Sequence, residues 1–157
     1  MTNRPTLNLP EASLSIKPGK KFDGVLCLSR QRYVTLTPEE WVRQNFMAYM
    51  INSLAYPQHL LSVEVPVMLG QSRQRADIVA YSHTMRPLVI VECKAPIVRL
   101  TQAAMNQACR YLSILKARAV VLTNGLEHYC VVLPDGGKPQ FVESMPSWED
   151  INYLEDA

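Results

Sequence analysis

The sequence predicts an α/β domain in which a mixed central β-sheet is flanked by helices. Three strand-like segments lie between two helical segments, and a further strand follows the second helix, which gives the order αβββαβ. Strands joined by short turns pair antiparallel, whereas a strand, a crossover helix and the next strand form a right-handed parallel unit. With 157 residues, of which 48% are hydrophobic, the chain can bury a single core.

The first helix has the strongest start signal in the chain. Thr37 suits the N-cap, Pro38 suits the first helical position, and Glu40 can complete a capping box. From Trp41 to Ala55 no glycine or proline interrupts the segment, and apolar residues recur at helical spacing. We expect the apolar face of this helix to pack on the sheet.

Turn residues and prolines delimit the strands. The Leu88 to Lys94 segment is nearly all apolar before its charged end, so we expect it to be central in the sheet. A helix from about Thr101 to Lys116 provides the crossover, and Ser147 to Leu154 is compatible with a short acidic closing helix. The predicted strands are Leu60 to Leu69, Arg75 to Tyr81, Leu88 to Lys94, Ala119 to Thr123 and about His128 to Leu133.

The N-terminal region differs in pattern from the rest of the chain. Residues 1–20 predict an extended or poorly ordered arm, and residues 21–157 predict a single domain. Within that domain, Phe22 to Leu36 alternates enough between apolar and polar residues to predict a short hairpin.

Composition argues against several classes of protein. The apolar runs are much shorter than the roughly 20 residues that a membrane span requires, and the N-terminus has no apolar stretch of signal-peptide length. We therefore expect a cytoplasmic protein without membrane contact. The four cysteines form no CxxC pair, so we expect reduced thiols in the core. The net charge of +2 favours an anionic partner only weakly.

Charged residues lie in two neighbouring predicted strands. Side chains of a strand alternate between faces, so Glu92 and Lys94 project to the same side. Asp77 lies in the middle of the preceding strand, and a hairpin would place it beside Glu92. Two half-buried carboxylates repel each other unless a cation lies between them, and Mg²⁺ prefers oxygen ligands. The pattern therefore predicts a metal site.

These residue types suit the hydrolysis of phosphodiesters. A bound metal would polarise the scissile phosphate and acidify a water, while Lys94 would orient that water or neutralise developing charge. The backbone carbonyl of Cys93 is a further candidate ligand. The structural alternative is a cross-strand ion pair, worth roughly 0.2–1 kcal/mol. Because the charges end an apolar strand and a second acid lies in the neighbouring strand, the functional interpretation is favoured.

A set of short motifs extends through most of the chain, from about Phe22 to Leu133. Together the motifs resemble the PD-(D/E)XK nuclease superfamily, and more narrowly the N-terminal nuclease domain of type I restriction enzyme R (motor) subunits. The motifs are Thr37-Pro38-Glu39-Glu40-Trp41-Val42-Arg43-Gln44, Arg75-Ala76-Asp77, Ile90-Val91-Glu92-Cys93-Lys94-Ala95-Pro96, Gln107 with Tyr111, and Thr123-Asn124-Gly125.

The resemblance implies a restriction-endonuclease-like three-layer core that binds Mg²⁺ (Mn²⁺ could replace it) and cuts DNA. Type I R subunits carry a helicase-like motor after this domain, which the 157 residues do not include. We therefore expect a stand-alone nuclease or an accessory that uses a motor or methyltransferase subunit from another chain. Since a single-site domain normally needs two copies to cut opposite strands, a homodimer is a further hypothesis.

An acid of the first helix is expected to assist the site. On a helical wheel Glu39 falls in the arc of Phe46 and Met50, whereas Glu40 lies at its edge, so Glu39 is preferred as the site acid. An i, i+4 ion pair with Arg43 would explain an inward Glu39 about as well.

The second helix contributes a polar pair. Gln107 and Tyr111 are one turn apart and resemble the Gln-x-x-x-Tyr motif of RecB-like nucleases, which implies that Gln107 holds a phosphate or the attacking water. A structural hydrogen bond within the helix layer is the alternative. For the whole chain, the alternatives are a non-catalytic module that binds nucleic acid or protein on the same fold, or an enzyme of this fold acting on branched DNA or RNA.

Overall fold

The computed structural model describes the backbone of residues 4–134 and 137–156, with side chains up to residue 152. It confirms the fold class, because a six-stranded mixed sheet separates two helical layers. The sheet order is β4-β5-β6-β7-β8-β9, and of these neighbours only β6 and β7 run parallel. These strands are β4 (Leu61–Leu69), β5 (Ser72–Tyr81), β6 (Pro87–Cys93), β7 (Ala119–Thr123), β8 (His128–Val132) and β9 (Gln140–Val142).

The three helices lie close to their predicted positions. They are α1 (Pro38–Asn52), α2 (Gln102–Leu115) and α3 (Trp148–Asp156), and a turn of 3-10 helix (Gln58–Leu60) precedes β4. Within the described ranges, no helix has the length and apolar character needed to cross a membrane. The short edge strand β9 was not predicted from the sequence.

The N-cap of α1 agrees with only half of the predicted capping box. The Thr37 hydroxyl accepts a hydrogen bond from the Glu40 amide at 3.0 Å, as expected. The other predicted bond, from the Thr37 amide to the Glu40 side chain, is wrong, since the Thr37 amide donates to the Thr35 carbonyl. The Glu40 carboxylate instead accepts hydrogen bonds from Arg43 and Gln44. Glu40 is thereby turned into the protein rather than back over the helix start.

Two apolar clusters fill the space on either side of the sheet. Helix α1 covers one face through Val42, Phe46, Met47 and Met50. Helix α2 covers the other through Met105, Ala108, Tyr111 and Leu112. The central strand β6 contributes to both clusters, which agrees with its nearly continuous apolar sequence.

The N-terminal arm is extended and packs against the domain. Its strand β1 (Ile16–Lys17) pairs with β2 (Gly24–Leu26), which forms the predicted hairpin with β3 (Tyr33–Thr35). The Trp41 indole donates a hydrogen bond to the Pro5 carbonyl at 3.0 Å. Residues 1–3 lie outside the described ranges, and the division of the chain at residue 20 stays a prediction.

Strands β4 and β5 both change face near the middle of their shared ladder. Residues two apart in a strand should face the same side. Val63 nevertheless packs in the α1-side cluster and Val65 in the α2-side cluster, and Ile78 and Ala76 divide in the same way. The two strands are therefore distorted together at the residues between these positions.

Substitution of the α1 cap should destabilise the fold. Thr37→Ala removes the bond to the Glu40 amide, and we expect the free energy of unfolding to fall by about 1 kcal/mol. Urea denaturation followed by circular dichroism measures this change. Thr35→Ala, an exposed threonine on β3, is the control, and an equal loss in both variants would contradict a capping role for Thr37.

Candidate functional site

Asp77 and Glu92 face each other where the β5–β6 ladder ends. The last paired residues in this direction are Ile78 and Val91, so Asp77 and Glu92 are the next opposed positions. The Asp77 amide donates a hydrogen bond to Glu92 Oε1 at 3.1 Å, and the Cys93 amide donates to Asp77 Oδ2 at 2.8 Å. Side-chain oxygens thus replace the ladder bonds, and each carboxyl group is held by a backbone amide of the opposite strand.

The close approach of these two acids changes their acidity. Burial and then the negative charge of Asp77 raise the pKa of Glu92 to about 8, against an opposing effect of Lys94. Burial also raises the pKa of Asp77, although the Cys93 amide and Arg43 oppose this effect. At neutral pH Glu92 retains a proton, which a hydrogen bond to Asp77 can share. The pKa of Glu92 thus stays raised even though Arg43 forms an ion pair with Asp77.

Arg43 is the central cation of the site, and sequence reasoning had considered it only as a partner of Glu39. Its Nη2 donates to Asp77 Oδ1 at 3.1 Å, while its Nη1 donates to Glu40 at 3.1 Å and to Glu64 at 3.3 Å. The Arg43 side chain is only 6% exposed. Removing one member of such a buried network leaves an uncompensated charge, so these acids and Arg43 depend on each other.

Glu64 is a second residue that the site prediction missed. The β4–β5 ladder pairs the residues on either side of Glu64 and Asp77 but omits these two, although they lie opposite each other. Glu64 has a φ of 50°, which for a residue other than glycine costs on the order of 1 kcal/mol. Its carboxylate forms an ion pair with Arg30 at 2.6 Å. The available signal was an acid interrupting the apolar strand Leu61–Leu69.

Lys94 follows β6 directly and lies close to the paired acids. Its amide donates a hydrogen bond to the Thr123 carbonyl at 2.8 Å, which extends the contact with β7. Its positive charge opposes the rise in the pKa of Asp77, Glu92 and Glu39. Lys94 itself forms no ion pair within 4.0 Å with any described residue.

The side chain of Cys93 is part of the core. Burial raises the pKa of its thiol well above the usual range, so the thiol stays protonated. A neutral buried thiol is a poor metal ligand. If Cys93 takes part in metal binding, its backbone carbonyl is the suitable atom, as the sequence analysis proposed.

The two glutamates at the start of α1 have different environments. Glu39 is half-exposed, its carboxylate lies 3.6 Å from Arg43 Nη2, and burial followed by the charge of Asp77 raises its pKa. Glu40 is buried and bound by Arg43 and Gln44. The helical wheel was thus wrong about which acid is more buried. The charge of Asp77 nevertheless helps to raise the pKa of Glu39, and the contact of Glu39 with Arg43 is also present.

Tyr111 of α2 reaches the neighbourhood of the paired acids. Burial and then the charges of Glu92 and Asp77 raise the pKa of Tyr111 to about 12. Its hydroxyl donates a weak hydrogen bond to the Arg75 carbonyl at 3.4 Å. Gln107 lies one turn earlier on α2 and is half-buried, but none of the described hydrogen bonds ties it to the site. Its role stays a prediction.

The donors at this site fit a hard divalent cation. Among the described residues, no group of three or more histidine, cysteine, aspartate or glutamate side chains is arranged to hold a metal ion. Mg²⁺ does not require such a group, since proteins commonly bind it through one or two carboxylates together with water and substrate oxygens. Asp77 and Glu92 provide two adjacent carboxyl groups. Arg43 forms an ion pair with Asp77, whereas no ion pair to Glu92 is formed among the described residues. The chemistry of the residues is therefore compatible with Mg²⁺.

The sheet, its two helical layers and the paired acids at the separating strands define a restriction-endonuclease-like α/β domain. A family model described as "Type I restriction enzyme R protein N terminus (HSDR_N)" matches residues 38–146, more than half of the chain. The chain therefore belongs to this family, which confirms the resemblance seen in the sequence.

The fold is also similar to a solved structure. One matching chain is a fragment assigned to the HsdR subunit of a type I restriction enzyme from Vibrio vulnificus YJ016, with a TM-score of 0.54 and 18% sequence identity. The alignment covers 74% of the present chain and 25% of the other, so the aligned part spans about a quarter of that solved fragment. A search of the curated proteins gave no significant match.

The raised pKa of Glu92 should make the metal-free protein less stable as the pH rises. Between the ordinary glutamate pKa and about 8, the folded chain keeps a proton that the unfolded chain has lost. The free energy of unfolding should therefore fall through this window. Glu92→Gln removes this titration but keeps an oxygen for the Asp77 amide, so at pH 8 we expect it to be about 1–3 kcal/mol more stable than the wild type.

Urea denaturation at pH 5 to 8.5 in the presence of a chelator measures this difference. Glu143→Gln, on an exposed glutamate, is the matched control and should follow the wild type at every pH. A Glu92→Gln curve parallel to that of the wild type would show that Glu92 titrates normally.

Proposed function

We propose that the chain is a Mg²⁺-dependent deoxyribonuclease, with Mn²⁺ able to replace Mg²⁺. Membership of the type I restriction enzyme R family supports a nuclease-related role. The observation that carries the proposal is the paired arrangement of Asp77 and Glu92, which backbone amides fix at the end of the β5–β6 ladder and in which the pKa of Glu92 is raised to about 8. The positive charge of Lys94 opposes the rise in the pKa of both acids.

Each residue has a distinct task in the proposed reaction. Asp77, Glu92 and the carbonyl of Cys93 would hold the cation. The cation would polarise the scissile phosphate and acidify a water. Lys94 would orient that water and offset negative charge on the phosphoryl oxygens.

Two residues are proposed to assist from the helices. Glu39 lies at the start of α1, close enough to Asp77 for its acidity to respond, and would help to orient water near the cation. Gln107 of α2 would contact a phosphate or the attacking water. Both roles are proposals from the family resemblance and from helix position.

A non-catalytic binding module is the second candidate, and a specific observation favours it. Arg43 already provides Asp77 with a buried cationic partner at 3.1 Å, so the acids could persist purely as members of an ion-pair network. In this case nucleic acid or a partner protein would bind without being cut.

DNA cleavage separates the two candidates. We expect the purified chain to cut plasmid or single-stranded DNA with Mg²⁺ or Mn²⁺, and Glu92→Gln and Lys94→Ala each to reduce the rate by at least about 10²-fold. Glu143→Gln serves as the control on an exposed acid.

The outcomes differ clearly between the candidates. Binding of DNA without cutting by the wild type would favour the module, and cutting that survives both site substitutions would identify a contaminating nuclease. A parallel panel of branched DNA and RNA tests the substrate class.

Partners and location are also part of the proposal. DNA would be the substrate, and a motor or methyltransferase subunit in a separate chain would be a partner. A homodimer is proposed because cutting both strands would require two copies of the site. Sedimentation with and without DNA would measure this state, and the cytoplasmic location expected from the sequence stays a prediction.

A further inference from the structure

Glu64 lies in line with the paired acids on three neighbouring strands. It is opposite Asp77 on β5, which in turn is opposite Glu92 on β6. Its side chain is 32% exposed, and Arg30 and Arg43 contact its carboxylate from different elements. A backbone in the left-handed region is uncommon for glutamate, particularly inside a strand. The backbone of Glu64 therefore has an unfavourable conformation, and the carboxylate of this residue contacts Arg43.

Arg43 contacts Glu64 and Asp77 through different terminal nitrogens, and Glu39 also lies 3.6 Å from Nη2. Nη1 contacts Glu64 Oε1 at 3.3 Å, whereas Nη2 contacts Asp77 Oδ1 at 3.1 Å. An arginine and a carboxylate readily form a two-pronged pair, in which each of two guanidinium nitrogens donates to a different oxygen of the same carboxylate. That pair with Asp77 would compete with a divalent cation for the same oxygens. Glu40 also binds Nη1, but it belongs to α1 itself and does not draw the guanidinium across to β4.

We propose that Glu64 is a positioning residue of the metal site, which acts by holding Arg43 away from a two-pronged pair with Asp77. This inference rests on the proposed function. Arg43 then stabilises the Asp77 carboxylate through one nitrogen and leaves it able to bind a divalent cation. Arg30, in the loop between β2 and β3, holds the other carboxylate oxygen of Glu64, Oε2, in a 2.6 Å ion pair.

The affinity for Mn²⁺ tests the role of Glu64 without using catalysis. Glu64→Gln keeps the size of the side chain but loses the charge that holds Arg43. We expect its dissociation constant for Mn²⁺, measured by electron paramagnetic resonance, to rise about tenfold. Glu127→Gln is the matched control, because Glu127 is an exposed acid on the β7–β8 turn. Circular dichroism checks that each variant is folded.

A second pair of variants distinguishes positioning from a general charge effect. Lysine keeps the charge of Arg43 but cannot bridge two carboxylates with a planar fork. If Glu64 acts through the guanidinium, adding Glu64→Gln to Arg43→Lys should change the Mn²⁺ dissociation constant by less than about twofold. An undiminished tenfold effect in this background would overturn the proposal. Loss of Mn²⁺ binding in Arg43→Lys alone would also overturn it, since Arg43 would then be required rather than competing.

The failure of this inference can be distinguished from the failure of the proposed function. If the wild type binds Mn²⁺ and cuts DNA but folded Glu64→Gln binds Mn²⁺ as tightly as the wild type, only the role of Glu64 falls. If the wild type binds no Mn²⁺ and cuts no DNA, the proposed function and the positioning role fall together.

Discussion

The site depends on one constraint: Asp77 and Glu92 occupy opposed positions at the end of the β5–β6 ladder. Backbone amides that would otherwise pair across the ladder donate to these carboxyl groups, so the acids are fixed by the sheet itself. Burial and mutual repulsion then keep Glu92 protonated near neutral pH. A divalent cation bound between the two acids would relieve the same repulsion that protonation of Glu92 relieves, so the site also favours a divalent cation.

The positive charges around this pair come from different layers of the fold. Arg43 approaches from α1, and Lys94 follows β6. Arg43 is almost fully buried and forms ion pairs with several acids. Loss of any one member would therefore destabilise the folded protein, because it would leave a buried charge without a partner. Local strain at Glu64 adds to this cost. Such concentration of buried charge and strain is common where stability is sacrificed for function.

Local sequence patterns predicted the elements well but the contacts between elements less well. The Thr37 cap, the apolar strand that precedes Glu92 and the crossover helix were all visible as local signals. The direction taken by Glu40 was wrong, since its hydrogen-bonding partners on α1 compete better than the helix start does. β9 was missed because it has only three residues and, unlike the equally short β2 and β3, does not belong to a longer alternating segment. β1 was missed because its two residues lie in the segment predicted as an extended arm.

The sequence by itself determined the α/β class, the order of the helices and main strands, and the pairing of Asp77 with Glu92. Those features depend on side-chain periodicity and on short connections, which are properties of neighbouring residues. Only the tertiary structure decided that Arg43 bridges Asp77 and Glu64, and that β4 and β5 change face together at those acids. These contacts join residues 13 to 34 positions apart, and no local pattern encodes which buried cation reaches which acid.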